Sequence, residues 1–230
     1  NNNTHTTQIQ SIKQLNKMAS STDVPVLTYF DGRGLAELPR LLLAAGGVVY
    51  TDVRIPHVPG QPNAAWEKIK AEQPYGQIPV LAHRGLKIAQ SNAIVRYIAR
   101  QYHLEGERED DIPLLDAAFE AVIDIRKKFF TEKADPTKLA DYWAKTFPES
   151  VQQLAKNIQA TATSSPFFTG KRISYVDIAI YYLLWVLATE NKEAVDKAIK
   201  ENPKIQALYE GVEKDEKIAA YLKQRKQTPW

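Results

Sequence analysis

The amino-acid sequence predicts an α/β domain followed by an all-α domain. Between residues 24 and 102, short runs with β-strand character alternate with segments that have the apolar spacing of helices. From Pro113 onward the spacing is helical throughout, and a charged, glycine-containing stretch between Leu104 and Asp111 separates the two patterns. Strands alternating with helices, followed by helices alone, are typical of two separate domains.

The first domain is predicted to contain four strands and three helices. In chain order they are a strand at 24–30, a helix at 34–45, a strand at 48–55, a helix at 62–72, a hairpin of 78–82 and 86–88, and a helix at 89–102. The first strand stops at Asp31-Gly32, and the helix that follows it closes on Gly46-Gly47. The resulting order, β-α-β-α-β-β-α, is the thioredoxin-like arrangement.

The second domain is predicted to be a bundle of helices. We expect them at residues 113–133, 137–160 and 174–189, with shorter ones up to the C-terminus. Ser174 and Asp177 have the spacing of a capping box, which we expect to serve the fold rather than catalysis. The predicted limits are 1–23 for a flexible extension, 24–103 for the thioredoxin-like domain and 112–230 for the all-helical domain.

The composition excludes several classes of mechanism. The chain of 230 residues has no cysteine, which rules out disulfides, cysteine metal ligands and enzymes whose nucleophile is a protein thiol. If a thiol reacts here, the substrate supplies it. The formal net charge of +3 argues against a broad surface for nucleic acid. No apolar run reaches the length of a membrane span, so we expect neither a nucleic-acid nor a membrane partner.

The first 22 residues differ in composition from the rest. Asn, Thr, Gln and Ser dominate them, and no acidic residue occurs before Asp23. Organellar transit peptides have such a composition. The absence of arginine favours a disordered arm instead. Met18, the only methionine, is a candidate for the natural start.

Four short motifs follow one another along the chain. They are Leu27-Thr28-Tyr29-Phe30-Asp31-Gly32-Arg33-Gly34, Tyr75-Gly76-Gln77-Ile78-Pro79-Val80, Gln90-Ser91-Asn92-Ala93-Ile94 and Ser174-Tyr175-Val176-Asp177. In order and spacing they resemble the cytosolic glutathione transferases that use a catalytic tyrosine. The first three are similar to the pi and sigma classes, and the resemblance extends to the C-terminus.

The resemblance implies the glutathione transferase fold and a cytoplasmic enzyme that joins the thiolate of glutathione to a hydrophobic electrophile. Tyr29, at the end of the first strand, is the implied catalytic residue. A cysteine-type thiol has a pKa of about 8.5, so only a few per cent is ionised at neutral pH. A phenol that donates a hydrogen bond to the sulfur favours the anion and lowers that pKa. Glutathione is a co-substrate, and we expect neither a cofactor nor a metal.

The resemblance also implies a set of residues that bind glutathione. They are Phe30, Arg33, Trp66, Lys70, Gln77, Ile78, Pro79, Gln90, Ser91 and Asp124. Ile78-Pro79 resembles a cis-proline turn, whose backbone would pair with the cysteinyl unit of the tripeptide. Ser91 begins a helix whose first N–H groups would bind the γ-glutamyl carboxylate. Lys70, on the same helix face as Trp66, would be the counter-charge for the glycine end.

Two residues imply an assembly of two subunits. Asp124 matches an acidic residue that reaches the amino group of glutathione in the other subunit, and Tyr75 matches an aromatic residue inserted into that subunit. We therefore expect a homodimer with two glutathione sites.

Trp230, the last residue, is expected either to form a wall of the electrophile pocket or to lie in solvent.

One position departs from the pi and sigma pattern. Those classes carry a second arginine two residues after the first, where this chain has Leu35. Its absence would remove a positive charge close to the thiolate or the glycine end. Enzymes of the mu class also have leucine here, so the departure leaves the implied activity in place.

The alternative function is a non-catalytic ligand-binding or structural protein with the same fold. Such a relative could lose the catalytic tyrosine and the glutathione ligands, and this chain retains them. A redox enzyme of the thioredoxin type is excluded because the chain has no cysteine.

Overall fold

The chain forms two compact units. The structure is a computed structural model that describes residues 23–58, 60–158, 165–170 and 172–228. Residues 23–98 and 220–228 belong to the first unit, and the described residues between 99 and 219 belong to the second. The predicted succession of an α/β domain and an all-α domain is confirmed. The predicted N-terminal extension, except Asp23, and Trp230 lie outside the described residues.

The first unit is built on a mixed sheet. Its strands are β1 (Val26–Phe30), β2 (Thr51–Ile55), β3 (Val80–His83) and β4 (Leu86–Ala89). Across the described residues they lie in the order β2-β1-β3-β4, with β1 and β2 parallel and the other pairs antiparallel. Parallel neighbours need a crossover connection, and the helix between β1 and β2 provides it. This is the thioredoxin-like arrangement predicted from the sequence.

Among the described residues between 30 and 101, three helices accompany these strands. They are α1 (Glu37–Ala45), α2 (Ala64–Lys70) and α3 (Ser91–Gln101), and single 3₁₀ turns occur at Gly34–Ala36 and Pro74–Gly76. Helix α1 is short but deeply buried, because its leucines at 41, 42 and 43 are fully inaccessible to solvent. The chain between β1 and α1 is therefore held between a sheet and a buried helix.

The remaining helices follow in chain order. They are α4 (Asp111–Glu132), α5 (Pro136–Asp141), α6 (Phe147–Asn157), α7 (Tyr175–Ala188), α8 (Lys192–Glu201), α9 (Pro203–Lys214) and α10 (Glu216–Gln224). Helix α7 is buried along most of its length and packs against α4, α8 and α9. A helix that is apolar all round needs such a central position. No helix in the described ranges is both long enough and apolar enough to cross a membrane.

The helix predicted at 137–160 differs from the structure. A π-helical turn, Tyr142–Thr146, separates α5 from α6. Pro148 explains the change of register, because proline has no N–H and its ring clashes with the carbonyl four residues earlier, here that of Ala144. The N–H of Phe147 instead bonds to the carbonyl of Tyr142, five residues back.

Candidate active site

Tyr29 lies in β1 just before the chain leaves the sheet, and only 7% of its surface is exposed. Its hydroxyl oxygen accepts a hydrogen bond from the backbone N–H of Leu35 at 3.3 Å. A phenol can accept one hydrogen bond and donate another. The contact with Leu35 therefore fixes the oxygen and leaves the phenolic hydrogen available to a second partner.

Gly34 makes this contact possible. Its φ of +39° is unfavourable for a residue with a side chain, and a Cβ placed there would lie 2.7 Å from the Tyr29 hydroxyl. We expect Gly34→Ala to displace the hydroxyl and to raise the pKa of a bound thiol by about half a unit to one unit. The pKa is measured by titrating thiolate absorbance, with Gly85→Ala as the control, because a Cβ at Gly85 has open space within 4 Å. Equal pKa values in both variants would contradict this role.

A cis peptide bond lies just before the strand that pairs with the strand of Tyr29. Val80 of β3 pairs with Thr28 of β1, and the bond between Ile78 and Pro79 immediately before β3 is cis, as the resemblance implied. Among the described residues, no backbone hydrogen bond occupies the N–H or C=O of Ile78. The two groups are therefore available to an extended peptide at this end of the sheet.

Aromatic rings surround the exit of β1. The Phe30 ring stacks on His57 with the centroids 4.4 Å apart, and its edge meets the Trp66 ring at 5.8 Å. The Asn63 side-chain oxygen caps α2 by accepting a hydrogen bond from the backbone N–H of Trp66 at 3.0 Å, which fixes the first turn of the helix that carries the indole. Lys70, half-exposed on α2, lies 3.9 Å from the Glu67 carboxylate. Because the side chain is half-exposed, its ammonium group is accessible to a second anion.

Gln77 and Gln90 come together although 13 residues separate them. The Gln90 amide donates a hydrogen bond to the Gln77 amide oxygen at 3.2 Å. Gln90 has φ of +70°, and its carbonyl accepts the Ile94 N–H, so it turns the chain into α3. Ser91 is then the first residue of α3, where backbone N–H groups lack partners within the helix. An anion beside Gln77 would face those groups.

The last two predicted ligands, Arg33 and Asp124, belong to different units. Arg33 is partly exposed and immediately precedes the 3₁₀ turn at Gly34–Ala36. Asp124 belongs to the second unit, where it is exposed on α4 and lines a cavity of about 470 Å³ together with Ser150 and Asn157. The remaining predicted ligands thus belong to the first unit, and Asp124 does not.

A buried ionic network was not foreseen from the sequence. Arg40 is 0% exposed, and it donates to the Gly32 carbonyl at 2.7 Å, to the Glu37 carboxylate at 3.3 Å and to the Asp52 carboxylate at 3.1 Å. Glu37 itself is only 1% exposed. The available signal was a glutamate and an arginine three residues apart in an otherwise apolar helix.

Within the described ranges, no group of three or more acidic or histidine side chains could hold a metal.

Known protein families match both parts of the chain. The glutathione S-transferase N-terminal domain matches residues 25–100, and the glutathione S-transferase C-terminal domain matches residues 118–225. The chain belongs to the glutathione S-transferase family. The family resemblance and the fold predicted from the sequence are therefore confirmed.

Individual relatives agree with this assignment. Glutathione S-transferase P 10 of Caenorhabditis elegans is 32% identical over 204 residues, which cover 88% of this chain and 92% of that protein. The pi-class glutathione S-transferase structure from Onchocerca volvulus has a TM-score of 0.74 at 28% identity, covering 87% of this chain and 93% of the other. A structure described as a monomeric glutathione S-transferase from Necator americanus has a TM-score of 0.75 at 25% identity, covering 90% and 100%.

Proposed function

We propose that this glutathione S-transferase family member conjugates the thiolate of glutathione to hydrophobic electrophiles, and that Tyr29 stabilises the thiolate. The observation that carries the proposal is the Tyr29 hydroxyl, held by the Leu35 N–H beside the open backbone of the cis Ile78–Pro79 turn. The turn would hold the cysteinyl unit, and the phenolic hydrogen would then be donated to its sulfur. Cytoplasmic detoxification is the setting we propose for this activity.

The other predicted ligands suit the two ends of the tripeptide. The N–H groups at the start of α3, with Ser91 and Gln77, would bind the γ-glutamyl carboxylate. Lys70 and Trp66 would hold the glycine end, with Lys70 as its counter-charge. Phe30, Arg33 and Gln90 would complete this site on the first unit.

Binding and ionisation of glutathione test the proposal directly. When glutathione is added at neutral pH, ultraviolet thiolate absorbance should increase in proportion to the occupied sites. S-methylglutathione should bind without this signal, because it has no ionisable sulfur. Steady-state assays with several classes of electrophile then identify the second substrate. If glutathione binds and no thiolate forms, a non-catalytic binding protein is the correct description.

We also propose that the enzyme is a homodimer in which Asp124 reaches glutathione on the other subunit and Tyr75 enters the partner. Tyr75 is 81% exposed, at φ of +57° within the 3₁₀ turn Pro74–Gly76. This exposure excludes ordinary core packing, the alternative role for this side chain. Burial of this side chain by a partner would remove about 150–250 Å² of surface from water, which would stabilise the interface.

We expect Tyr75→Ala to weaken self-association by about ten- to a hundredfold, because buried tyrosines are frequent hot spots. Sedimentation over a range of concentrations measures the change. Val49→Ala is the control, since Val49 is equally exposed at 82% and has no predicted interface role. A wild-type chain that stays monomeric and fully active would overturn the dimer proposal, and the monomeric hookworm relative makes that outcome a real alternative.

A further inference from the structure

Two acidic residues bracket the segment that contacts the Tyr29 hydroxyl. Asp31 directly follows β1, Glu37 is the first residue of α1, and the Leu35 N–H lies between them. Arg40 holds the start of this segment through the Gly32 carbonyl at 2.7 Å. The position of the Leu35 N–H therefore depends on how both acidic ends are held.

Two adjacent basic residues near the C-terminus bind those two acids. Arg225 Nη1 lies 2.9 Å from Glu37 Oε1, and Lys226 Nζ lies 2.5 Å from Asp31 Oδ2. All four belong to the first unit. We name Arg225 and Lys226 the C-terminal clamp.

The two contacts of the clamp differ in burial. The side chains of Arg225 and Glu37 are 9% and 1% exposed, whereas Lys226 is 57% exposed. A buried pair is weakly screened by solvent, and an exposed pair contributes little. Burial raises the pKa of the Asp31 carboxyl, but Lys226 and Arg54 lower it by more, so that the pKa lies below its ordinary value. Arg225 is accordingly the principal member of the clamp.

Glu37 divides its carboxylate between two arginines. Oε1 accepts from Arg225, and Oε2 accepts from Arg40 at 3.3 Å. Without Arg225, one oxygen of a buried carboxylate would lose its charged partner, which is costly unless the group moves. Because Glu37 is only two residues from Leu35, such a movement would shift the N–H that holds the Tyr29 hydroxyl.

We propose that the C-terminal clamp positions the Tyr29 hydroxyl, with Arg225 as a positioning residue for thiolate formation. The proposal rests on the catalytic role proposed for Tyr29. The last part of the chain thereby contributes to the reaction without contacting glutathione. It acts through Glu37 and the backbone N–H of Leu35.

Arg225→Met tests the clamp, because methionine keeps an unbranched apolar stem and removes the charge. We expect the pKa of bound glutathione to rise by about half a unit to one unit, kcat below that pKa to fall about three- to tenfold, and KM for glutathione to change less than about twofold. Arg225→Lys, which keeps the charge, should raise the thiol pKa and lower kcat by less than Arg225→Met does. Lys223→Met, an exposed residue two positions earlier, should leave the pKa and kcat unchanged.

The same substitution in a Tyr29→Phe background separates positioning from general structural damage. If Arg225 acts through the Tyr29 hydroxyl, Arg225→Met should cause no further rise of the thiol pKa in that background. A lowered melting temperature with an unchanged thiol pKa, or an equal pKa change in both backgrounds, would overturn the proposal. An unchanged thiol pKa in Tyr29→Phe alone would instead refute the function proposed for Tyr29, so the two failures are distinguishable.

Discussion

Replacement of Tyr29 by phenylalanine should raise the pKa of bound glutathione by about one to two units and lower kcat at neutral pH by about ten- to a hundredfold. The substitution removes one oxygen, and with it the hydrogen bond that would stabilise the thiolate. Affinity for glutathione should change little, because the carboxylates and backbone of the tripeptide have other partners. Titration of thiolate absorbance and steady-state kinetics measure the two effects separately.

Tyr97→Phe is the matched control for this experiment. Tyr97 also belongs to the first unit, and its hydroxyl lies 2.9 Å from His83 Nδ1. Losing that hydrogen bond should affect stability by about 1 kcal/mol. It should not affect the thiol. A bound thiol with the same pKa in Tyr29→Phe and in the wild type would end the catalytic assignment, whatever happens to kcat.

Local patterns in the sequence predicted the order of the strands and helices, but not all of their limits. Apolar periodicity located the strands and helices of the first unit, and a glycine pair located the end of α1. The strand predicted from residue 48 begins only at Thr51, and this difference has a local cause. The Val48 N–H bonds to the Leu43 carbonyl and Val49 is exposed, so the chain is still leaving α1 where the pattern predicted a strand. Alternation of apolar residues does not reveal a competing bond to a helix end.

The candidate site was predictable only where its residues are close in sequence or match family motifs. The Tyr29 position and the cis Ile78–Pro79 bond were indicated by motifs. The pair of Arg225 and Glu37 was not, since 188 residues separate them. A basic residue near a chain end gives no indication of its partner, because exposed basic residues are common. Such a contact is visible only once the chain is folded.

Of the substitutions proposed here, Asp177→Ala should lower the free energy of unfolding most, by about 3 to 4 kcal/mol at neutral pH. Asp177 is 0% exposed and accepts hydrogen bonds from the Phe168 N–H at 2.8 Å, the Ser174 N–H at 2.8 Å and the Ser174 hydroxyl at 2.6 Å. The capping box with Ser174 was predicted, and the structure adds Phe168, which ties the segment before α7 to the same carboxylate. Alanine would leave several buried donors without an acceptor. Urea unfolding measures the loss.

Asp135→Ala provides the comparison, because Asp135 caps α5 from an exposed position and its loss should lower the free energy of unfolding by only about 1 kcal/mol.

The dependence of stability on pH gives a second signature of Asp177. Burial raises the pKa of Asp177 from 3.8 to about 6, although its hydrogen bonds oppose the shift. The folded state therefore binds this proton more tightly than the unfolded state. The stabilising contribution is complete below pH 3.8 and is lost as the pH rises through about 6. The stability difference between the wild type and Asp177→Ala should consequently grow by up to about 3 kcal/mol as the pH falls from 7 to 4. A difference that stays constant or shrinks over that range would show that Asp177 remains ionised, held by its three donors.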